Sequence, residues 1–174
     1  KFPNSKIVNI GHHKRHGYNP VALNDINEDC NVYCFDAYGD GYSGCKGKYL
    51  KNKGIEIERY FSEANSLGLL YTAATQHLGL GSFGTEGKMQ GLAAYGKYNN
   101  NYSIKDLLGV KNESPYVDEE LRKESGWQSQ EQYAKSRITL NEFYSKLIPR
   151  RFSDEELTQQ HSDFAKTIQA DIID

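Results

Sequence analysis

The sequence predicts an α/β protein, and three observations support that prediction. Residues 31–35 form a compact apolar run that ends at Asp36, which is typical of a buried strand reaching a polar edge. Two extended segments, 46–51 and 55–61, flank an Asn-Lys-Gly turn and predict a β-hairpin. Residues 66–78 then repeat apolar side chains at helical spacing, with Asn65 or Ser66 as the N-cap and Gly79 as the stop.

The other predicted elements are shorter. Residues 6–10 are β-branched and predict a strand, whereas the glycine, asparagine and proline of residues 17–20 limit any following helix to about one turn. Residues 88–94 predict a short helix, and the polar stretch 97–137 indicates an insertion with short helices rather than core. A capping box at residues 153–156 predicts a helix that begins there and lacks a stop signal, so the chain is expected to be a fragment.

Three consecutive strands followed by a helix predict a partial actin-like ATPase (ribonuclease H-like) domain. The strands and helices would then form the three-stranded start of the second half-domain. Residues 1–30 would end the first half-domain and carry a histidine cluster, and residues 31–96 would start the second half. Residues 97–150 would be an insertion, and residues 151–174 would form a truncated core helix.

Composition excludes several classes of partner. The 174 residues include 21 Lys and Arg against 23 Asp and Glu, a net charge of −2, so the broad basic field of a nucleic-acid-binding surface is missing. No run approaches the roughly 18 apolar residues of a membrane span. Cys30, Cys34 and Cys45 are an odd number in a short window, which argues against a secreted disulfide scaffold and predicts a cytoplasmic location. We therefore expect no nucleic acid and no membrane as partner.

The sharpest chemical feature is the histidine cluster. His12 and His16 are four residues apart, so on a helical turn both imidazoles face one side and can chelate iron, zinc or manganese. His13 points elsewhere, where it is a candidate for phosphate contact or acid–base chemistry. The competing interpretation is a solvated basic stretch. Two imidazoles are not a complete metal site, so a further ligand is expected from elsewhere.

Two glycine-rich segments are candidates for binding a nucleotide. In the first, a carboxylate at a strand end is followed by glycines, whose backbone N–H groups can approach a phosphate closely. That segment contributes Asp36, Gly39, Asp40 and Gly41. In the second, Glu86 is expected on ribose hydroxyls and Lys88 on phosphate, with Gly87 between them. The alternatives are an ordinary hairpin turn for the first segment and a capped surface helix for the second.

The order of these segments resembles a known family. Residues 66–79 and the Glu-Gly-Lys-Met-Gln-Gly-Leu-Ala-Ala-Tyr-Gly run at 86–96 closely resemble the O-carbamoyltransferases of the nodulation and antibiotic-tailoring types. The His-His-x-x-His at 12–16 and the Asp-x-x-Gly-Asp-Gly at 36–41 stand in the order of that family. Residues 163–169 look like its next helix.

The resemblance implies an ATP-dependent enzyme. Carbamoyl phosphate and ATP would give carbamoyl-adenylate, whose carbamoyl group would pass to a hydroxyl of a sugar or other small-molecule acceptor. His12 and His16 would hold the metal, with iron favoured over zinc or manganese, and His13 would be the catalytic residue that helps to position substrate. The phosphate and nucleotide site would comprise Asp36, Gly39, Asp40, Gly41, Glu86, Gly87 and Lys88. The Asp metal ligand and adenylate-forming domain of the family would lie beyond Asp174, so the fragment alone is expected to be inactive.

Two alternatives remain open. An actin-like kinase or a tRNA threonylcarbamoyl-transferase-like enzyme would share the fold, although the tRNA enzyme would need dense basic patches. The second alternative is a non-catalytic, truncated domain that binds only a nucleotide or a partner. The insertion at 97–150 would then be its contact surface. Neither the acceptor nor the oligomeric state follows from the sequence.

Overall fold

The structure is a computed structural model that describes residues 8–81, 84–119 and 142–174. Within these ranges it is a mixed α/β fold, in which a three-stranded antiparallel sheet, a small two-stranded sheet and several helices pack together. No helix in the described ranges is long and apolar enough to cross a membrane. The predicted α/β class is confirmed, whereas the actin-like identity and the four-part division of the chain stay predictions.

The three-stranded sheet is the framework of the N-terminal half. Its strands β1 (Cys30–Gly39), β2 (Tyr42–Leu50) and β3 (Gly54–Ser62) lie in the order β1-β2-β3. The glycine that opens β3 has a φ of +85°, a left-handed conformation that glycine adopts without steric penalty, and this closes the β2–β3 turn. The predicted hairpin is therefore confirmed. Strand β1 loses its regular register with β2 between Phe35 and Gly39, where the polar residues of the strand end lie.

Helix α1 (His12–Leu23) packs against this sheet and is longer than expected. The prediction of about one turn is wrong, because the helix has 12 residues and continues through Pro20. A Cβ on Gly17 would lie 2.8 Å from Ile55 and 3.0 Å from Val32, so the glycine permits close packing of the helix on the sheet. This burial offsets the weak helix propensity of glycine and proline.

The strand predicted at residues 6–10 is not observed in its described part. Residues 8–10 belong to no strand, and Val8 and Ile10 are exposed. Residues 6 and 7 lie outside the described ranges. A β-branched run forms a strand only where a neighbouring strand pairs with it, and local composition does not supply that partner.

Helices α2 (Leu67–His77) and α3 (Glu86–Ala93) lie close to their predicted positions. The Ser66 side chain accepts a hydrogen bond from the N–H of Leu69, 3.1 Å away, which caps the first turn of α2. Gly79 follows the helix with a φ of +62° and ends it. The signals for this helix were local, and the prediction is confirmed.

The C-terminal helix α4 (Gln159–Ile173) begins later than predicted. The capping box expected at residues 153–156 does not start a helix: residues 153–155 form a turn, in which Glu155 accepts from the backbone N–H of Phe152, 2.7 Å away. A different box caps α4, in which the Nδ1 atom of His161 accepts from the N–H of Thr158 at 3.0 Å.

The main core lies where α2, α3 and α4 meet. It includes residues from the stretch that was predicted to be an insertion outside the core: Ile104 is 1% exposed and Val117 is 2% exposed. Val117 belongs to a small hairpin of β4 (Leu108–Lys111) and β5 (Ser114–Val117). The prediction that this stretch contributes no core is therefore wrong at these positions, because two isolated apolar residues carry no periodic signal.

Candidate metal centre

His12 and His16 lie together on one side of α1, as their spacing predicts, and Asp36 of β1 joins them. The two Nε2 atoms are 3.1 Å apart. The Oδ2 atom of Asp36 lies 2.6 Å from Nε2 of His12 and 3.5 Å from Nε2 of His16. Ligands that bind one metal ion at about 2.0–2.2 Å are themselves about 3–3.5 Å apart. The separations of 3.1 and 3.5 Å fall in this range, whereas the 2.6 Å between His12 and Asp36 is a hydrogen-bond distance that a bound ion would lengthen.

Strand β1 and helix α2 fix the orientation of the Asp36 carboxylate. Its Oδ1 atom accepts from the N–H of Ala37 at 2.7 Å, which leaves Oδ2 directed at the two histidines. The hydroxyl of Ser66 donates to the carbonyl oxygens of Asp36 and Ala37, at 3.0 and 2.7 Å. The N-cap of α2 thus also holds the end of β1, so the carboxylate is set by two elements at once.

The donor set suits a divalent metal. Two imidazoles and one carboxylate with open positions are typical of non-haem Fe(II) sites, and imidazole also suits zinc. The side chains of His12 and His16 are 38% and 47% exposed, so a bound ion would keep access for a substrate. Asp36, which the sequence placed at the phosphate, is the carboxylate that lies beside both imidazoles. The Asp metal ligand that the family resemblance implies beyond Asp174 stays a prediction.

The other predicted residues of this region lie beside the cluster rather than in it. His13 is 2% exposed, and its Nε2 lies 2.9 Å from the carbonyl oxygen of Gly39. Its ring is therefore buried and already hydrogen-bonded within the protein. Asp40 accepts from the backbone N–H of His12 through Oδ2 at 2.7 Å. Gly41 has a φ of +89° and completes the β1–β2 turn.

A cavity of about 1170 Å³ lies along the sheet, and Asp36 is the member of the cluster that lines it. Asp36 and Glu86 line it together, and the hydroxyl of Thr72 donates to Oε1 of Glu86 at 2.8 Å. Its apolar wall includes Tyr33, Phe35, Phe61 and Leu67. Gly87 and Lys88 are exposed and are not among its lining residues. The structure therefore brings Glu86 to the same cavity as Asp36 but leaves Gly87 and Lys88 outside it.

The polar corner of this cavity contains two residues that sequence reasoning did not assign to the site. Thr72 holds Glu86, and Tyr71 donates from its hydroxyl to Gln169 at 3.0 Å. Burial, together with the negative charge of Glu86, raises the pKa of Tyr71 to about 12, so its hydroxyl stays neutral at physiological pH. Both residues lie on the side of α2 that faces the cavity. Helical periodicity shows which residues share a side of a helix, but it does not show whether that side faces a cavity or the core.

With the fold and the donor set established, comparison with known proteins identifies the class. The family model described as the carbamoyltransferase N-terminus matches residues 12–172, which include all three donors. The chain belongs to the carbamoyltransferase family, and the resemblance inferred from its motifs is confirmed. Nodulation protein NolNO of Sinorhizobium fredii (strain NBRC 101917 / NGR234) is 34% identical over 94 residues, which are 53% of this chain and 13% of that protein. The match thus spans about one eighth of the relative's length.

The thiol of Cys34, which lies against His13, is expected to resist alkylation. Burial raises the pKa of Cys34 to about 12, and the nearby Cys45 and Asp36 add to the shift. At pH 8 this leaves about a thousandfold less thiolate than an ordinary cysteine holds. We expect iodoacetamide to label the half-buried Cys30 at least 100-fold faster than Cys34, as followed by peptide mass spectrometry, with the difference abolished in urea. Equal rates in the folded protein would contradict this burial.

Proposed function

We propose that the intact protein is an ATP-dependent O-carbamoyltransferase. With one water molecule, it converts carbamoyl phosphate and ATP to carbamoyl-adenylate, phosphate and pyrophosphate, and the carbamoyl group then passes to a hydroxyl of a sugar or other small-molecule acceptor with release of AMP. The observation that supports this proposal is the convergence of His12, His16 and Asp36 in a chain of the carbamoyltransferase family, with Asp36 also lining a large cavity. Free thiols at Cys30, Cys34 and Cys45 favour a reducing, cytoplasmic location.

The three donors are proposed to hold a divalent ion, with iron favoured by the two-imidazole, one-carboxylate set and zinc or manganese as the alternatives. A bound ion supplies a Lewis acid that polarises a carbonyl or phosphoryl oxygen. The residues of this chain would orient it: the N–H of Ala37 holds the Asp36 carboxylate, and the Ser66 hydroxyl holds the backbone of Asp36. The imidazoles of His12 and His16 share one side of α1, and Asp36, which lies against both, also lines the cavity.

The cavity wall is proposed to protect the activated carbamoyl group from water. A carbamoyl-adenylate is a mixed anhydride, which hydrolyses readily, so the apolar side chains of the buried Phe61 and the half-buried Leu67 favour transfer over hydrolysis. Glu86 is proposed to accept hydrogen bonds from the ribose hydroxyls while Thr72 holds its Oε1 atom. The assignment of Lys88 to phosphate remains part of the proposal, although its side chain lies outside the cavity wall.

The test is pyrophosphate release by the intact protein from ATP, with and without carbamoyl phosphate. We expect release, with AMP as the product, only when carbamoyl phosphate is present. Glu86→Gln is expected to raise the KM for ATP about tenfold, because an amide keeps an acceptor oxygen but loses the charge-assisted hydrogen bond. Glu56→Gln, an exposed change on β3, is the matched control and should match the wild type. ADP as the product, or release that is independent of carbamoyl phosphate, would favour the kinase alternative.

A further inference from the structure

The N-terminus of α1 has no cap of its own. Gly11 occupies the N-cap position, and no side chain of the helix provides a capping hydrogen bond. The backbone N–H of His12, one of the unsatisfied donors of a first turn, instead donates to Oδ2 of Asp40 at 2.7 Å. A carboxylate at this end also interacts favourably with the helix dipole. A residue 28 positions away in the chain therefore fixes the backbone that carries His12.

The imidazole ring of His12 lies directly over Gly39. A Cβ atom on Gly39 would be 2.2 Å from Cδ2 and 2.5 Å from Nε2 of His12, which is far closer than non-bonded atoms approach. The φ of Gly39 lies outside the left-handed region, so an alanine would introduce no backbone strain there. The glycine at this position is therefore needed to leave space for the His12 ring, and it is not needed for the backbone conformation of the turn.

His13 forms a buried hydrogen bond to the same turn. Its Nε2 atom lies 2.9 Å from the carbonyl oxygen of Gly39, and because a carbonyl only accepts, Nε2 carries the proton. Nδ1 is then the acceptor for the thiol of Cys34, whose Sγ is 3.8 Å away. The ring is 2% exposed and thus links β1 to the turn inside the protein.

We propose that Gly39 and Asp40 form a positioning cradle for the metal ligand His12, held in place by the positioning residue His13. Asp40 fixes the backbone of His12, and Gly39 leaves room for its ring, so that Nε2 faces Asp36 and His16. This inference rests on the proposed metal centre. It assigns Gly39, Asp40 and His13 to orientation of a ligand, whereas the sequence had placed them at the phosphate or at the substrate.

The experiment is a titration of the intact protein with Co²⁺, which has a visible spectrum that depends on coordination. Asp40→Ala and Gly39→Ala are expected to weaken binding about 10- to 100-fold, the range typical of residues that orient a metal ligand, and to alter the spectrum. Asp40→Asn keeps an oxygen acceptor for the His12 N–H and should restore affinity to within about threefold of the wild type. Gly109→Ala, where a Cβ meets nothing within 4 Å, and Asp106→Ala, on an exposed turn, are the controls.

Wild-type affinity and spectrum in both Asp40→Ala and Gly39→Ala would overturn the inference and leave the metal centre intact. Equal weakening in Asp40→Asn and Asp40→Ala would also overturn it, because the hydrogen bond would then not be the cause. If the wild type binds no Co²⁺, the metal centre itself fails, and the inference fails with it. Thermal unfolding of each variant separates these results from loss of the fold.

Discussion

Replacing Asp36 with alanine is expected to lower the affinity of the intact protein for Fe²⁺ on the order of a thousandfold. Loss of a residue that only orients a ligand typically costs 10- to 100-fold, and loss of a donor atom should exceed that. The two remaining imidazoles, with Nε2 atoms 3.1 Å apart, would bind the ion without a charged partner. His12→Ala and His16→Ala are expected to have effects of similar size, because each removes one of three donors.

The measurement is metal content after dialysis, together with competition against a chelator of known affinity. Asn19→Ala is the matched control, since Asn19 is exposed on the same helix as the two histidines. Asp106→Asn is the control for removal of a carboxylate elsewhere on the surface. Equal metal content in wild type, His12→Ala, His16→Ala and Asp36→Ala would show that these three residues do not bind the metal.

Replacing Phe164 with alanine is expected to lower the free energy of unfolding by about 3–5 kcal/mol, the usual range for a fully buried phenylalanine. The Phe164 ring is 0% exposed, and its centroid lies 5.5–6.0 Å from the rings of His77, Tyr102 and Tyr144. The substitution would therefore leave a cavity where α4 meets the rest of the core. None of these rings contacts the metal donors, so the loss should be one of stability.

Urea denaturation of the intact protein measures this loss, with Phe152→Ala as a control of identical chemistry. Phe152 is 59% exposed, and its truncation should change stability by no more than about 1 kcal/mol. The structure indicates that the core depends on Phe164. Similar urea midpoints for the two variants would contradict this.

The elements that the sequence predicted well have signals within a few residues. The β2–β3 hairpin follows from one glycine at its turn, and α2 follows from Ser66 before it and Gly79 after it. The pairing of His12 with His16 likewise needs only the geometry of one helical turn. Each of these predictions uses contacts between neighbours in the chain, which explains why each is confirmed.

The carboxylate that lies beside the two imidazoles could not be found in this way. Asp36 is 24 residues from His12, and their contact depends on how α1 packs on β1. That packing uses Gly17, which the sequence indicated as a helix breaker but which lies against Ile55 and Val32. The same tertiary contact makes α1 longer than predicted and brings its histidines to the carboxylate.

The late start of α4 has a comparable origin. Ser153 and Glu156 satisfy the capping-box pattern, but residues 153–155 form a turn in which Glu155 accepts from the N–H of Phe152. Arg151, which is 7% exposed, donates to the carbonyl oxygen of Leu78 at 2.9 Å and attaches this turn to the end of α2. A local pattern was overridden by a contact with a distant helix, and Thr158 caps α4 instead.

His12, His16 and Asp36 are proposed to bind one metal ion together in this member of the carbamoyltransferase family. The most direct measurement is anomalous diffraction at the iron absorption edge from crystals of the intact protein loaded with Fe²⁺. We expect one strong peak about 2.0–2.2 Å from Nε2 of His12, Nε2 of His16 and a carboxylate oxygen of Asp36. A peak elsewhere in the protein, or density at this position without both imidazoles as ligands, would contradict it.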